Sequence, residues 1–152
     1  MNKLWDQSGK ESGGGNGRVL GRDFFLHLLD LEVKRARRYQ NFFCILVMRL
    51  NQLSNHDNGA HQSSCYRKLT HLLEDEFRES DILGAIDESS VAALLPYGDV
   101  TAGNNTRFRF EGCLKYLDFK TDGYEVAIDQ VIFPMDGTDT TELVRKVTTA
   151  KA

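Results

Sequence analysis

The chain has 152 residues, 41% of them hydrophobic and 10% aromatic, which suffices for one domain with its own core and is too little for two. Nineteen basic residues against 22 acidic ones give a formal charge of −3, which argues against a dedicated, basic nucleic-acid binder. No apolar run is long enough to span a bilayer, and the N-terminus lacks the apolar stretch of a signal peptide.

Residues 1–17 are polar and close on Gly13-Gly14-Gly15-Asn16-Gly17, so they read as a flexible tail or linker, with the fold proper over 18–152. From Arg22 to Tyr39 the spacing predicts a helix, with Phe25, Leu28, Leu29 and Ala36 on one face. Its cations Lys34, Arg35, Arg37 and Arg38 suit the C-terminal end of the helix dipole. Phe42 to Leu50 is nearly continuous in apolar residues and predicts a central strand buried on both faces. Asn51 to Gln62 reads as loop. Ser64 to Phe77 predicts a second helix with Cys65, Leu69, Leu72, Leu73 and Phe77 inward.

Two short strands, Ile82–Ile86 and Ser90–Leu95, follow as a hairpin around Asp87-Glu88, stopped by Pro96-Tyr97-Gly98. A third helix carries Phe110, Cys113, Leu114 and Leu117 inward, weakened by Gly103 and Gly112. Tyr124 to Phe133 predicts another strand. Asp139 and Glu142 sit at capping-box spacing and open a last helix to about Ala150. The order αβαββαβα contains the split βαβ arrangement of ferredoxin-like α+β folds, with a mostly antiparallel sheet flanked by helices. The cysteines Cys44, Cys65 and Cys113 are scattered over apolar faces. They make neither a disulfide framework nor a zinc site, and a cytoplasmic setting is expected.

Several short stretches in series resemble the GGDEF, or diguanylate cyclase, family. Gly21-Arg22-Asp23-Phe24-Phe25 resembles its N-R-x-x-F helix start, and Arg78-Glu79-Ser80-Asp81-Ile82 its R-x-S-D segment. Leu94-Leu95-Pro96 and Phe133-Pro134-Met135-Asp136-Gly137-Thr138 resemble L-L-P and F-P-x-D-G-T, and Val126-Ala127-Ile128-Asp129 stands where the family has V-S-I-G. The resemblance implies the cyclase palm fold over Val19 to Lys151.

The signature itself is replaced. Asp87-Glu88-Ser89-Ser90-Val91 falls on the G-G-D-E-F positions, and Arg49 and Asn51 fall on the metal-binding D-x-D. The family's N-D pair appears reversed, as Asp57-Asn58. Two-metal phosphoryl transfer needs carboxylates to hold Mg²⁺ and neutralise phosphate charge. Serine hydroxyls and a guanidinium do neither, so the expectation is a degenerate domain with no cyclase activity, no metal and no cofactor.

The family's regulatory R-x-x-D site for cyclic di-GMP is in register: Arg78 and Asp81 precede Asp87 by the family's spacing. A chain of this composition holds about one R-x-x-D by chance, so the register carries the information. Arginine offers a planar fork for guanine or phosphate, and aspartate accepts from guanine N–H groups. The resemblance implies a further arginine on the next helix, Arg109, or Arg107 if the helix is shifted. The plainer readings are that Asp81 bonds backbone at the strand entrance and that Arg78 pairs with Glu74 or Asp75. The expected partners are cyclic di-GMP and a second copy or a signalling protein, with no nucleic acid and no membrane insertion. The alternative is a protein-interaction or dimerisation module without a nucleotide. His56, Asp57 and His61 share a loop without zinc-site spacing, and Trp5 in the tail reads as a partner contact or a stray aromatic.

Overall fold

A computed structural model describes residues 17–53 and 61–149. The tail with Trp5, the His56 and Asp57-Asn58 positions and the end of the last helix at Ala150 lie outside the described residues. The elements run β1 (Val19–Leu20), α1 (Arg22–Tyr39), β2 (Phe43–Gln52), α2 (Gln62–Glu76), β3 (Ile82–Asp87), β4 (Ser90–Pro96), α3 (Val100–Leu114), β5 (Tyr124–Phe133) and α4 (Thr140–Thr149).

The apolar run of β2 is buried because it lies between two antiparallel neighbours, β4 and β5, in a mixed sheet ordered β1-β3-β4-β2-β5. Strand alternation divides its side chains between two cores. Cys44, Leu46, Met48 and Leu50 meet Leu69 and Leu73 of α2 and Phe110 of α3. Phe43, Ile45 and Val47 meet Phe25, Leu29 and Val33 of α1 and Leu143 and Val147 of α4. At one end Phe43 and Phe133 stack across the strands at 4.9 Å. The connections β2-α2-β3 and β4-α3-β5 each join strands separated by one other strand, which is the split βαβ layout within an α+β fold.

Several local expectations are corrected. The two-residue β1 pairs parallel with β3 and was not predicted, because two residues carry no period. β2 continues through Gln52, so Asn51 belongs to a strand that pairs it with Glu125 rather than to a loop. α3 ends at Leu114, leaving Leu117 beyond the helix. Gly103 is required there: a Cβ would lie 2.6 Å from Gln130 Nε2 and 2.7 Å from Cys44 Sγ, so its absence lets α3 approach the sheet. At α4 the Asp139 carboxylate accepts from the Glu142 N–H at 2.8 Å, but Glu142 reaches the N–H of Thr138, one residue short of a closed capping box. Leu28 is half-buried, and Val33 takes the core position on α1.

Candidate functional site

The β3–β4 hairpin carries Asp87 to Val91, which the sequence resemblance sets on the family's signature. Its turn is held from within: Asp87 Oδ1 accepts from the Ser89 N–H at 2.9 Å, the Ser89 hydroxyl at 3.2 Å and the Ser90 hydroxyl at 2.8 Å. Partial burial pushes the Asp87 carboxyl up, but the hydrogen bonds from Ser89 and Ser90 and the field of Arg49 outweigh it and hold it below 3.8. The Asp87 carboxylate is thus spent on the turn. Glu88 is exposed at the tip, while Ser90 and Val91 are buried. Neighbouring elements fasten the loop. Arg22 donates to the Ile86 carbonyl at 3.0 Å, Gln62 to that of Glu88 at 3.0 Å, Tyr66 to that of Ser90 at 3.2 Å and the Leu50 N–H to that of Ser89 at 2.7 Å.

Arg49 lies on the β2 face that meets α1 and α4. Its Nη2 donates to the Val147 carbonyl at 3.1 Å, in the last turn of α4, where a cation complements the helix dipole. Its Nε stands 3.6 Å from Asp129 Oδ2 on β5, an ion pair at a separation too long for a hydrogen bond. The residues that the sequence resemblance sets on the family's Mg²⁺ positions are a guanidinium committed to α4 and β5, an amide and two hydroxyls bound to Asp87. They do not fit a hard divalent cation, which takes carboxylate and phosphate oxygens. No group of three or more His, Cys, Asp or Glu side chains among the described residues is arranged to hold a metal.

At the other end of β3, the segment Phe77 to Asp81 makes a tight corner between α2 and the strand. The Asp81 N–H donates to the Arg78 carbonyl and the Arg78 N–H donates to Asp81 Oδ2, both at 3.0 Å. The backbone bond read for Asp81 as the plainer alternative is thus present, through one carboxylate oxygen. Arg78 extends its side chain into solvent, and neither Glu74 nor Asp75 pairs with it. Arg109 Nη2 donates to the Glu76 carbonyl at 3.1 Å, which brings it to this corner, whereas Arg107 turns to Glu111 at 3.3 Å. Burial raises the Asp81 carboxyl above 3.8; the Arg78 N–H and the charges of Arg78, Arg18 and Arg109 oppose that rise without cancelling it.

Arg18 was missed by sequence reasoning. Its guanidinium donates to the carbonyls of Phe77 at 2.9 Å, Glu74 and Asp81 at 3.2 Å each, and also Arg78. It satisfies carbonyls at the C-terminal end of α2. Phe77 packs against Phe110 with the rings tilted by 43° and centroids 5.4 Å apart, which fixes α2 against α3 and so sets where Arg109 can reach.

No protein-family model and no curated protein matches the chain. Solved structures do. A DGC protein from Thermotoga maritima is 22% identical, with TM-score 0.70 over 89% of this chain and 97% of that one. The GGDEF domain of Pseudomonas aeruginosa YfiN, also called TpbB, is 16% identical, with TM-score 0.74 over 87% of each. The GGDEF domain of Caulobacter crescentus DgcB, solved with cyclic di-GMP, is 11% identical, with TM-score 0.67 over 87% of this chain and 80% of that one. The fold of this chain is that of GGDEF domains. None of its described helices is long and apolar enough to cross a membrane.

Proposed function

We propose that this chain is a catalytically silent GGDEF-fold signalling domain that binds cyclic di-GMP at the corner of Arg78, Asp81 and Arg109. The observation that carries the reading is the corner itself: the Arg78 N–H donates to Asp81 Oδ2 at 3.0 Å, Arg18 to the Asp81 carbonyl at 3.2 Å and Arg109 to the Glu76 carbonyl at 3.1 Å. Asp81 Oδ2 is held by the Arg78 N–H, and Oδ1 carries no hydrogen bond among the described residues, so it can accept from guanine N1–H or its amine. The exposed Arg78 fork suits guanine O6 and N7 or a phosphate, and a ligand with two phosphates gains from the cations beside it. That the DgcB domain was solved with cyclic di-GMP supports the choice of ligand.

Silence as a cyclase follows from Arg49, Ser89 and Ser90, which leave no carboxylate cradle for Mg²⁺. The setting is the reducing cytoplasm, in keeping with three free cysteines of which Cys44 is buried and its thiol pushed up to about 12. Isothermal titration with cyclic di-GMP, with GTP as control, tests the reading. Binding that falls at least about tenfold in Arg78→Ala and in Asp81→Ala, with circular dichroism unchanged, is the expected result. Equal affinity in wild type and both variants overturns the site, and cyclic di-GMP made from GTP and Mg²⁺ overturns the silence. A second reading, an interaction module without nucleotide, is favoured by an exposed aromatic on α3, Phe108.

A further inference from the structure

The outer face of α3 has no partner among the described residues. Thr101, Asn104, Asn105 and Phe108 are exposed on it, and Gly112 continues it one turn on. In a chain that is 27% charged, this face carries no charge between Thr101 and Gly112. Its charges lie on the flanks, where Arg107 and Glu111 are already paired to each other at 3.3 Å. An uncharged centre with an aromatic anchor and a charged rim is the anatomy of a protein interface. Phe108 is 79% exposed, so its ring gains nothing from the fold.

Gly112 is the complementary feature. Unlike Gly103, it makes no close approach: a Cβ there would meet nothing within 4 Å. Glycine weakens a helix interior relative to alanine, and no contact among the described residues requires it. The aromatic knob and the glycine gap stand four residues apart on one helix. A two-fold axis between them sets the knob of each copy over the gap of the other, so the surface is complementary to itself.

We propose that α3 pairs antiparallel with α3 of a second copy of this chain, each Phe108 ring seated over Gly112 of the partner subunit. One face of a fifteen-residue helix is smaller than the roughly 1,200–2,000 Å² of a standard interface, so the dimer is weak and concentration-dependent. Small residues at the crossing let the two helices approach toward the near end of the 8–10 Å range.

Sedimentation velocity of the nucleotide-free protein across the micromolar range tests this, and its failure leaves the cyclic di-GMP reading standing. The wild-type sedimentation coefficient should rise with concentration. Phe108→Glu and Gly112→Leu should stay monomeric at the highest concentration, with thermal midpoints unchanged or, for Gly112→Leu, raised. A helix-stabilising change that abolishes association is not expected of a residue acting only within its own chain. A wild type that is monomeric throughout, or a dimer that either variant retains, overturns the proposal.

Discussion

Arg49 and Asp129 face each other across neighbouring strands, with Nε 3.6 Å from Oδ2, at the sheet end that carries the signature hairpin. The guanidinium thus has an anion beside it and a carbonyl, that of Val147, behind it. The guanidinium is nearly enclosed while Asp129 is partly exposed, so removing the two should have unequal costs. Arg49→Ala should destabilise by about 1–3 kcal/mol, because a buried carbonyl and a carboxylate lose their partner. Asp129→Ala should cost less than Arg49→Ala, because the guanidinium keeps the Val147 carbonyl as a partner and the Asp129 side chain is partly exposed. Urea unfolding of both variants and of the double variant measures the coupling; equal costs would mean that Arg49 does not clamp α4 to the sheet.

Arg49→Asp alone should leave the protein without cyclase activity. Ser89 and Ser90 remain bound to Asp87, so one restored carboxylate has no companion to complete a magnesium cradle. Chromatographic analysis of GTP and Mg²⁺ incubations checks this, and any cyclic di-GMP formed would show the hairpin to be more adaptable than its hydrogen bonds suggest.

The two aspartates at the ends of β3 should give opposite pH signatures. Asp87 is depressed below 3.8 in the fold, so its contribution is present above that value and is lost as pH falls through its folded pKa. Asp81 is raised, so the unfolded chain releases that proton first, and stability falls as pH rises from 3.8 to its folded value. Asp87→Asn should therefore flatten the acid limb of a stability–pH curve, and Asp81→Asn should steepen it. The same shift predicts that cyclic di-GMP binding weakens on acidification at a pH above 3.8, where Asp81 takes up its proton.

What was legible in the residues follows from how information is stored in them. β2 announces itself because eight of its ten side chains are buried, whereas β1 is two residues between Gly17 and Gly21 and carries no period. The Arg78–Asp81 corner is legible because its two residues lie three apart in the chain, where the Arg78 N–H reaches the Asp81 carboxylate. Arg18 is not, because its partners are backbone carbonyls 56 to 63 residues away, which leave no motif. Nor can sequence tell Arg109 from Arg107, since the start of α3 depends on Asp99, whose carboxylate caps the Ala102 N–H at 2.8 Å.

Gly84, between the corner and the hairpin, should not tolerate a side chain. A Cβ there would stand 2.2 Å from Phe25 Cγ and 2.5 Å from its Cβ, inside the α1 core. Gly84→Ala should cost about 2–4 kcal/mol, since a core aromatic cannot withdraw without opening a void. Thermal unfolding checks the size of the loss; a midpoint within a degree of wild type would mean that α1 can shift outward.

Arg18→Ala separates building the corner from binding to it. The residue holds the carbonyls of Glu74, Phe77 and Asp81, so its removal should cost about 1–3 kcal/mol through unsatisfied helix-end acceptors. Its charge also acts on Asp81, and losing it should raise that carboxyl further and shift the acid limb of ligand binding upward in pH. Arg18→Lys keeps the charge but lacks the fork, so it should restore the pH profile while recovering only part of the stability. Calorimetric titrations of both variants over a pH series distinguish the two roles. If Arg18→Lys recovers stability and leaves the pH profile displaced, the guanidinium acts on Asp81 through the backbone it shapes and not through its charge.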